Sequence, residues 1–386
     1  MLKQRLDDLM NRFLEEGVPG CACSVAHRGA VVYEGAFGKR NLETGEPMTT
    51  DTVFRMYSMT KIVTCVAALM LHEKGRFLMD DPVAAYLPEF AEPTLVQDNG
   101  FMPPTTKPAR EPIRIRHLFA MTSGIPYPYP ATESGRRQLA SSMGMTQLVR
   151  DGARISTREL AGRIACLPLA FEPGSQWLYG MSHDMLGALV EALSGMPFED
   201  FLRQELFVPL GMRDTGFRFT DIDTSRLCPL YHKTESGDWE AGSGNDDWYD
   251  SDRYPAMGGS GLLSTLNDYQ RFSAMLANGG SLDGRRILGR HTIDLMRQNQ
   301  LFGDLAAGFG DTANGYGYGL GVKTLLCNAK GCVSASKGSF GWGGMAGTLT
   351  MIDPTENLSY VFMQQTLPNN GGNQEPRILA TLYGAF

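Results

Sequence analysis

The β-patterned segments of this chain lie at its two ends, with helical patterns between them. Residues 21–26 and 30–37 are rich in strand formers around the turn His27-Arg28-Gly29, which predicts a hairpin. Near the other end, residues 316–324, 347–352 and 358–364 read as strands, the last two joined by Asp353-Pro354-Thr355-Glu356-Asn357. From about residue 60 to 300 the spacing is helical, as in the capping pair Ser156 and Glu159 ahead of Leu160 and Ile164. The fold class this predicts is α/β: one antiparallel sheet built from both chain ends, flanked by helices, with a mainly helical domain inserted. Residues 1–85 with 300–386 form the expected sheet domain and 86–299 the helical one. Amphipathic spacing at Leu2, Leu6, Leu9 and Phe13 predicts a helix over about residues 2–16, and another closes the chain from about 375 to 382. Residues 92–112 and 234–258 are too long for plain connectors and read as lids or pocket walls.

Composition excludes several classes of function. With 20% charged residues and a net charge of −7, the surface does not suit phosphate neutralisation, so nucleic acid is not an expected partner. The longest apolar run covers residues 62–71, against about 20 residues needed to cross a bilayer, so no membrane span is expected. The first residues, MLKQRLDDLMNRFLEEG, have charges every few positions and no apolar core, unlike a secretory signal, and the cytoplasm is the expected compartment. Seven cysteines show neither disulfide-framework nor zinc spacing. Cys21 and Cys23 share a strand face, but two thiolates without further ligands make a poor tetrahedral site, and burial as small hydrophobes explains them better. No metal or cofactor is expected.

The chemistry centres on Tyr57-Ser58-Met59-Thr60-Lys61, which opens a helical pattern running to Gly75. Ser58 and Lys61, three apart, share a helix face. At the amino end of a helix Ser58 lies near unpaired N–H groups that can stabilise an oxyanion, and Lys61, against an apolar helix body, is expected to have a lowered pKa and to help remove the serine proton. The pattern alone is not specific: Ser334-Ala335-Ser336-Lys337 repeats it without a helix, and an isolated Ser58 reads as a surface N-cap. Ser182-His183-Asp184 contains triad residue types, but neighbours in a chain do not form a relay. The run Tyr316-Gly317-Tyr318-Gly319-Leu320-Gly321 lacks the strand–turn–helix context of a nucleotide site, and Asp246, Asp247, Asp250 and Asp252 lack the glycine and closing glutamate of a calcium loop. No G-x-S-x-G elbow is present.

Six blocks, in order, carry a resemblance: residues 53–61 (VFRMYSMTK), 75–90 (GRFLMDDPVAAYLPEF), 115–125 (IRHLFAMTSGI), 171–179 (FEPGSQWLY) with Leu193-Ser194-Gly195 beyond, 210–217 (LGMRDTGF) and 258–280 (GGSGLLSTLNDYQRFSAMLANGG), with Trp342-Gly343-Gly344 further on. Together they resemble the serine β-lactamase and penicillin-binding protein superfamily, specifically class C β-lactamases and the family VIII carboxylesterases. The resemblance implies Ser58 as nucleophile, Lys61 as its partner and Tyr179 as the catalytic tyrosine, a phenol that takes the serine proton and returns it to the leaving alcohol. It also implies an oxyanion hole from the backbone N–H groups of Ser58 and Met345, with Trp342, Gly343 and Gly344 lining the substrate site.

Two departures narrow that implication. Trp342-Gly343-Gly344 stands where β-lactamases carry Lys-Thr-Gly, and Gly180-Met181 follows Tyr179 where their motif continues to an asparagine. Both losses point away from an anionic, amide-bearing substrate. The expected function is hydrolysis of short-chain carboxylic esters through an acyl-enzyme on Ser58. Acyl transfer by the same intermediate, weak β-lactamase activity and a sensor that stays acylated are the alternatives, and a small-molecule ester is the expected partner.

Overall fold

The computed structural model describes residues 2–97, 104–244 and 246–385. Its centre is a seven-stranded sheet of β1 (Gly20–His27), β2 (Ala30–Gly38), β3 (Tyr316–Tyr318), β4 (Lys323–Leu325), β5 (Phe340–Gly343), β6 (Leu349–Asp353) and β7 (Leu358–Met363). The order is β3-β4-β5-β6-β7-β1-β2, with every neighbouring pair antiparallel. The two chain ends therefore meet in the middle of the sheet, where β1 pairs with β7 from Ala22↔Met363 to His27↔Leu358.

Strand alternation sorts the side chains into two cores. Cys21, Cys23 and Val25 face one way, against Leu6, Leu9, Met10 and Phe13 of α1 (Leu2–Glu15) and Ile378, Leu379 and Leu382 of the carboxy-terminal helix Gly371–Tyr383. Ala22 and Ala26 face the other way, into the main core, which continues through the helices of the middle region. Burial pushes the Cys23 thiol up to about 12, in keeping with an inert core residue. Among the described residues no helix is long and apolar enough to cross a membrane.

The main core is organised by α2 (Thr60–Glu73), whose residues from Thr60 to Leu71 are all buried. α3 (Glu133–Arg150) packs on α4 (Thr157–Ala165), α4 on α5 (Ser182–Ser194) and α5 on α2, followed in the chain by α6 (Leu266–Ala277) and the closing helix α7 (Gly371–Tyr383). The Ser156 hydroxyl accepts from the Glu159 N–H at 3.1 Å and caps α4, as its sequence predicts. Although α6 lies within residues 86–299, it packs on the sheet: Gln270 Nε2 donates to Ser359 Oγ at 2.8 Å and the Ser273 and Thr350 hydroxyls meet at 3.0 Å.

Three expectations are corrected. The strand expected over 316–324 is two strands, β3 and β4, because Gly321, with φ of 83°, and the Gly319 N–H to Val322 carbonyl bond of 2.8 Å turn the chain back. The closing helix starts earlier than expected, at Gly371. Residues 92–112 supply a small hairpin, Thr94–Gln97 with Thr105–Pro108, whose Thr94 carbonyl accepts from the Leu169 N–H at 2.8 Å. Residues 98–103 lie outside the described chain.

Candidate active site

Ser58 sits in a single 3-10 turn, Tyr57–Met59, that joins the short strand Val53–Arg55 to α2. Tyr57 adopts a left-handed φ of 45°. For a non-glycine residue that conformation costs about 1–3 kcal/mol and persists only when its surroundings hold it. Here the ring is buried with Leu230 and Ala346. The Ser58 side chain does not cap the helix; its Oγ receives a hydrogen bond from Lys61 Nζ at 3.3 Å.

The Lys61 side chain is completely buried. Its ammonium also donates to Tyr127 Oη at 2.7 Å and to the Gly259 carbonyl at 2.6 Å, and lies 4.7 Å from the centroid of the Tyr179 ring. Burial alone would push this ammonium down. The phenols of Tyr127 and Tyr179, the hydrogen bond to Tyr127 and the Asp184 carboxylate outweigh burial and hold it above its ordinary value. The expectation of a lowered lysine pKa is therefore reversed, because partners from distant segments surround a group that its own helix would leave unpaired. Burial has the opposite effect on Tyr127, raising it against the pull of Lys61.

Asp184 supports this arrangement from behind. Its carboxylate accepts from the Gly259 N–H at 2.9 Å, fixing the carbonyl that Lys61 uses. A Cβ at position 259 would lie 2.6 Å from Asp184 Oδ2, so the backbone reaches the carboxylate only as glycine. Ser182 and His183 point elsewhere: the Ser182 and Ser123 hydroxyls meet at 2.8 Å, and His183 Nε2 lies 3.2 Å from the Phe119 carbonyl in the core. The three consecutive residues thus form no relay.

Tyr179 and Trp342 meet across the site, with indole Nε1 donating to Tyr179 Oη at 3.0 Å. The two rings lie 5.6 Å apart, and Trp177, Phe309 and Tyr318 pack behind them. Trp342 is held on β5; past its end, a Cβ on Gly344 would come within 2.5 Å of the Met56 carbonyl, which brings this strand end against the turn carrying Ser58. Met345 follows, its carbonyl fixed by Asn369 Nδ2 at 2.6 Å. Ser58, Tyr179, Trp342, Gly343, Gly344 and Met345 all line one cavity of about 620 Å³.

Tyr127 was not expected from the sequence; it also lines the cavity. The available signal is its place in Tyr127-Pro128-Tyr129, directly after the 115–125 block, where proline rigidity presents rings without periodicity. Of the two long segments, 234–258 supplies a wall residue, Trp248, whereas none of the described residues of 92–112 lines the cavity. Asp311 and the ion pair of Lys323 with Glu375, at 3.0 Å, also line the cavity. Among the described residues no group of three or more side chains is placed to hold a metal ion.

The sequence profile of the Beta-lactamase family matches residues 2–385. The chain belongs to that family. Esterase EstB of Burkholderia gladioli is 28% identical over 386 aligned positions, covering 95% of this chain and 91% of its own. Acyltransferase calJ of Penicillium decumbens is 28% identical, covering 88% of this chain and 82% of its own. Among solved structures, EstCE1, described as a hydrolase with promiscuous acyltransferase activity, superposes with a TM-score of 0.82 at 27% identity, covering 99% of this chain and 98% of its own. The β-lactamase-like fold expected from the six blocks is thus the fold of the protein, an enzyme of the serine β-lactamase-like superfamily.

Proposed function

We propose that this chain is a serine hydrolase of family VIII carboxylesterase type, cleaving short-chain carboxylic esters through an acyl-enzyme on Ser58. The observation that carries this is Ser58 Oγ held 3.3 Å from a buried ammonium beside a cavity with six aromatic lining residues, whose one lining cation among the described residues, Lys323, is ion-paired with Glu375. A neutral ester fits such a site. An anion would lose its water without gaining a free charge partner.

In the proposed mechanism Ser58 Oγ attacks the ester carbonyl carbon while its proton passes to the oxygen of Tyr179, acting as general base. Lys61, which holds its own proton firmly, serves as the fixed cation beside Ser58, and Tyr127 locks it in place. The carbonyl oxygen becomes an oxyanion that accepts from the N–H groups of Ser58 and Met345. The C–O bond then breaks, and Tyr179 returns the proton to the departing alcohol. Water repeats the sequence in reverse roles, releasing the acid and free Ser58. No metal or cofactor enters these steps. The relatives named as acyltransferases support a second outcome, in which an alcohol replaces water in the second half.

The unpaired state of the seven cysteines supports a reducing compartment such as the cytoplasm. The test is turnover of p-nitrophenyl butyrate with mass-spectrometric location of a fluorophosphonate label. Ser58→Ala should lose several orders of magnitude in kcat/KM while Ser182→Ala and Ser334→Ala stay near the parent, with the label on Ser58. A label elsewhere, or release of a single equivalent of nitrophenol, overturns the reading.

A further inference from the structure

The site cavity is not alone. Tyr127, Pro128, Trp248 and Ser260 line it and at the same time line a smaller, more enclosed pocket of about 80 Å³ behind them. The wall of that pocket is mostly apolar, with Met145 of α3, Leu160 and Ile164 of α4, and Met181 and Met257, all buried, and is completed by Gln138, Ser141, Ser142 and Arg163. The pocket adjoins the cavity along Tyr127, Pro128, Trp248 and Ser260, whereas the charged lining residues Lys323, Glu375 and Asp311 line the cavity alone and come from β4, α7 and the 310–314 turn. The enclosed apolar pocket and the charged lining of the main cavity thus share no residue.

These two surfaces suit different parts of an ester. After Ser58 is acylated the acyl chain stays tethered until water releases it as the acid, whereas the alcohol must leave and water must enter before that step. An enclosed apolar recess serves the first, and the wider, partly charged main cavity serves the second.

We propose that the pocket between α3, α4 and the 248–260 segment binds the distal carbons of a saturated acyl chain, so that the enzyme selects its esters by acyl length. This rests on the ester-hydrolase reading above. At roughly 30 Å³ per water-sized group, about 80 Å³ receives two to three carbons beyond those held in the main cavity. Three of the pocket's five buried hydrophobic wall residues are methionines, whose unbranched thioethers adapt to chains of slightly different shape. Each methylene moved from water into such a recess is expected to raise kcat/KM about fourfold.

The experiment measures kcat/KM for p-nitrophenyl esters of linear acids from two to ten carbons, in the parent, in Ser141→Phe, which fills the pocket from its half-buried α3 wall, and in Ile164→Ala, which enlarges it. The parent should rise about fourfold per methylene over two or three methylenes and then fall. Ser141→Phe should abolish the rise while acetate turnover, which also reports folding, stays within about twofold, and Ile164→Ala should move the optimum one or two carbons longer. A Ser141→Phe profile parallel to the parent's overturns the proposal. So does a result in which Ser141→Phe alters selectivity only along a series of alkyl acetates, since the pocket would then hold the alcohol. Absence of turnover on every ester in the parent is a different result, refuting the hydrolase reading itself.

Discussion

Removing a single N–H from the indole of Trp342 tests whether that side chain is a wall or part of the proton path. Trp342 Nε1 donates to Tyr179 Oη at 3.0 Å, while the two rings are in contact at 5.6 Å between centroids. Trp342→Phe keeps an aromatic surface toward Tyr179, Tyr318 and Phe309 and deletes the donor. If the Tyr179 oxygen carries charge during turnover, the lost bond is charge-assisted and contributes about 1.5–3 kcal/mol to the transition state, or roughly ten- to over a hundredfold in kcat. KM should change little, since the apolar contact survives. The assay is steady-state hydrolysis of p-nitrophenyl butyrate by the parent, Trp342→Phe, Tyr179→Phe and the double variant. Because the indole is proposed to act through Tyr179, its effect should vanish once Tyr179 has lost its hydroxyl. A raised KM at unchanged kcat, or losses that simply add in the double variant, would show that the indole is a wall and nothing more.

Gly259→Ala places a Cβ 2.6 Å from Asp184 Oδ2 and displaces the carbonyl that Lys61 uses; kcat for the butyrate ester should fall at least tenfold, against little change in far-ultraviolet circular dichroism. Burial pushes His183 down to about 3, so the folded state holds it neutral where the unfolded chain, with an ordinary histidine value near 6.5, takes up a proton. The stability this gives is present above about pH 6.5 and drains away as pH falls toward 3; urea midpoints measured across that range should show a slope smaller by about one proton in His183→Leu than in the parent. Trp342→Lys should narrow the preference for p-nitrophenyl butyrate over a chromogenic cephalosporin from both sides, compared by kcat/KM; a parent enzyme that already prefers the cephalosporin contradicts the neutral-substrate reading.

The parts of the fold legible in the sequence are those set by local alternation and caps. Cys21, Cys23 and Val25 against Ala22 and Ala26 announce a strand between two cores, and Ser156 with Glu159 announces the start of α4. The 316–324 run conceals its turn because Gly321 sits among residues of otherwise strand-like composition. At the site, Ser58 and Lys61 are readable as a pair because one helical turn joins them. The protonation preference of Lys61 is not, since Tyr127, Gly259 and Asp184 come from segments 66, 198 and more than a hundred positions away and no periodicity links them. Tyr127 itself lies in a proline-rich stretch, where ring placement depends on rigid turns rather than on a repeat.

The seam between β1 and β7 has a consequence for the order of events on the ribosome. Residues 20–27 emerge early, but their partners at 358–363 emerge more than three hundred residues later. Until then the early hairpin has one face of β1 covered at most by α1 and its inner edge without a strand to pair with. An open edge of that kind recruits whatever extended chain is nearby. The closing of the sheet is thus a late and long-range event, slow by its loop-closure entropy, and it depends on the carboxy-terminal segment arriving intact. A ribosome that stops before residue 358 leaves a nascent chain with its nucleophile turn already synthesised and the middle of its sheet still open.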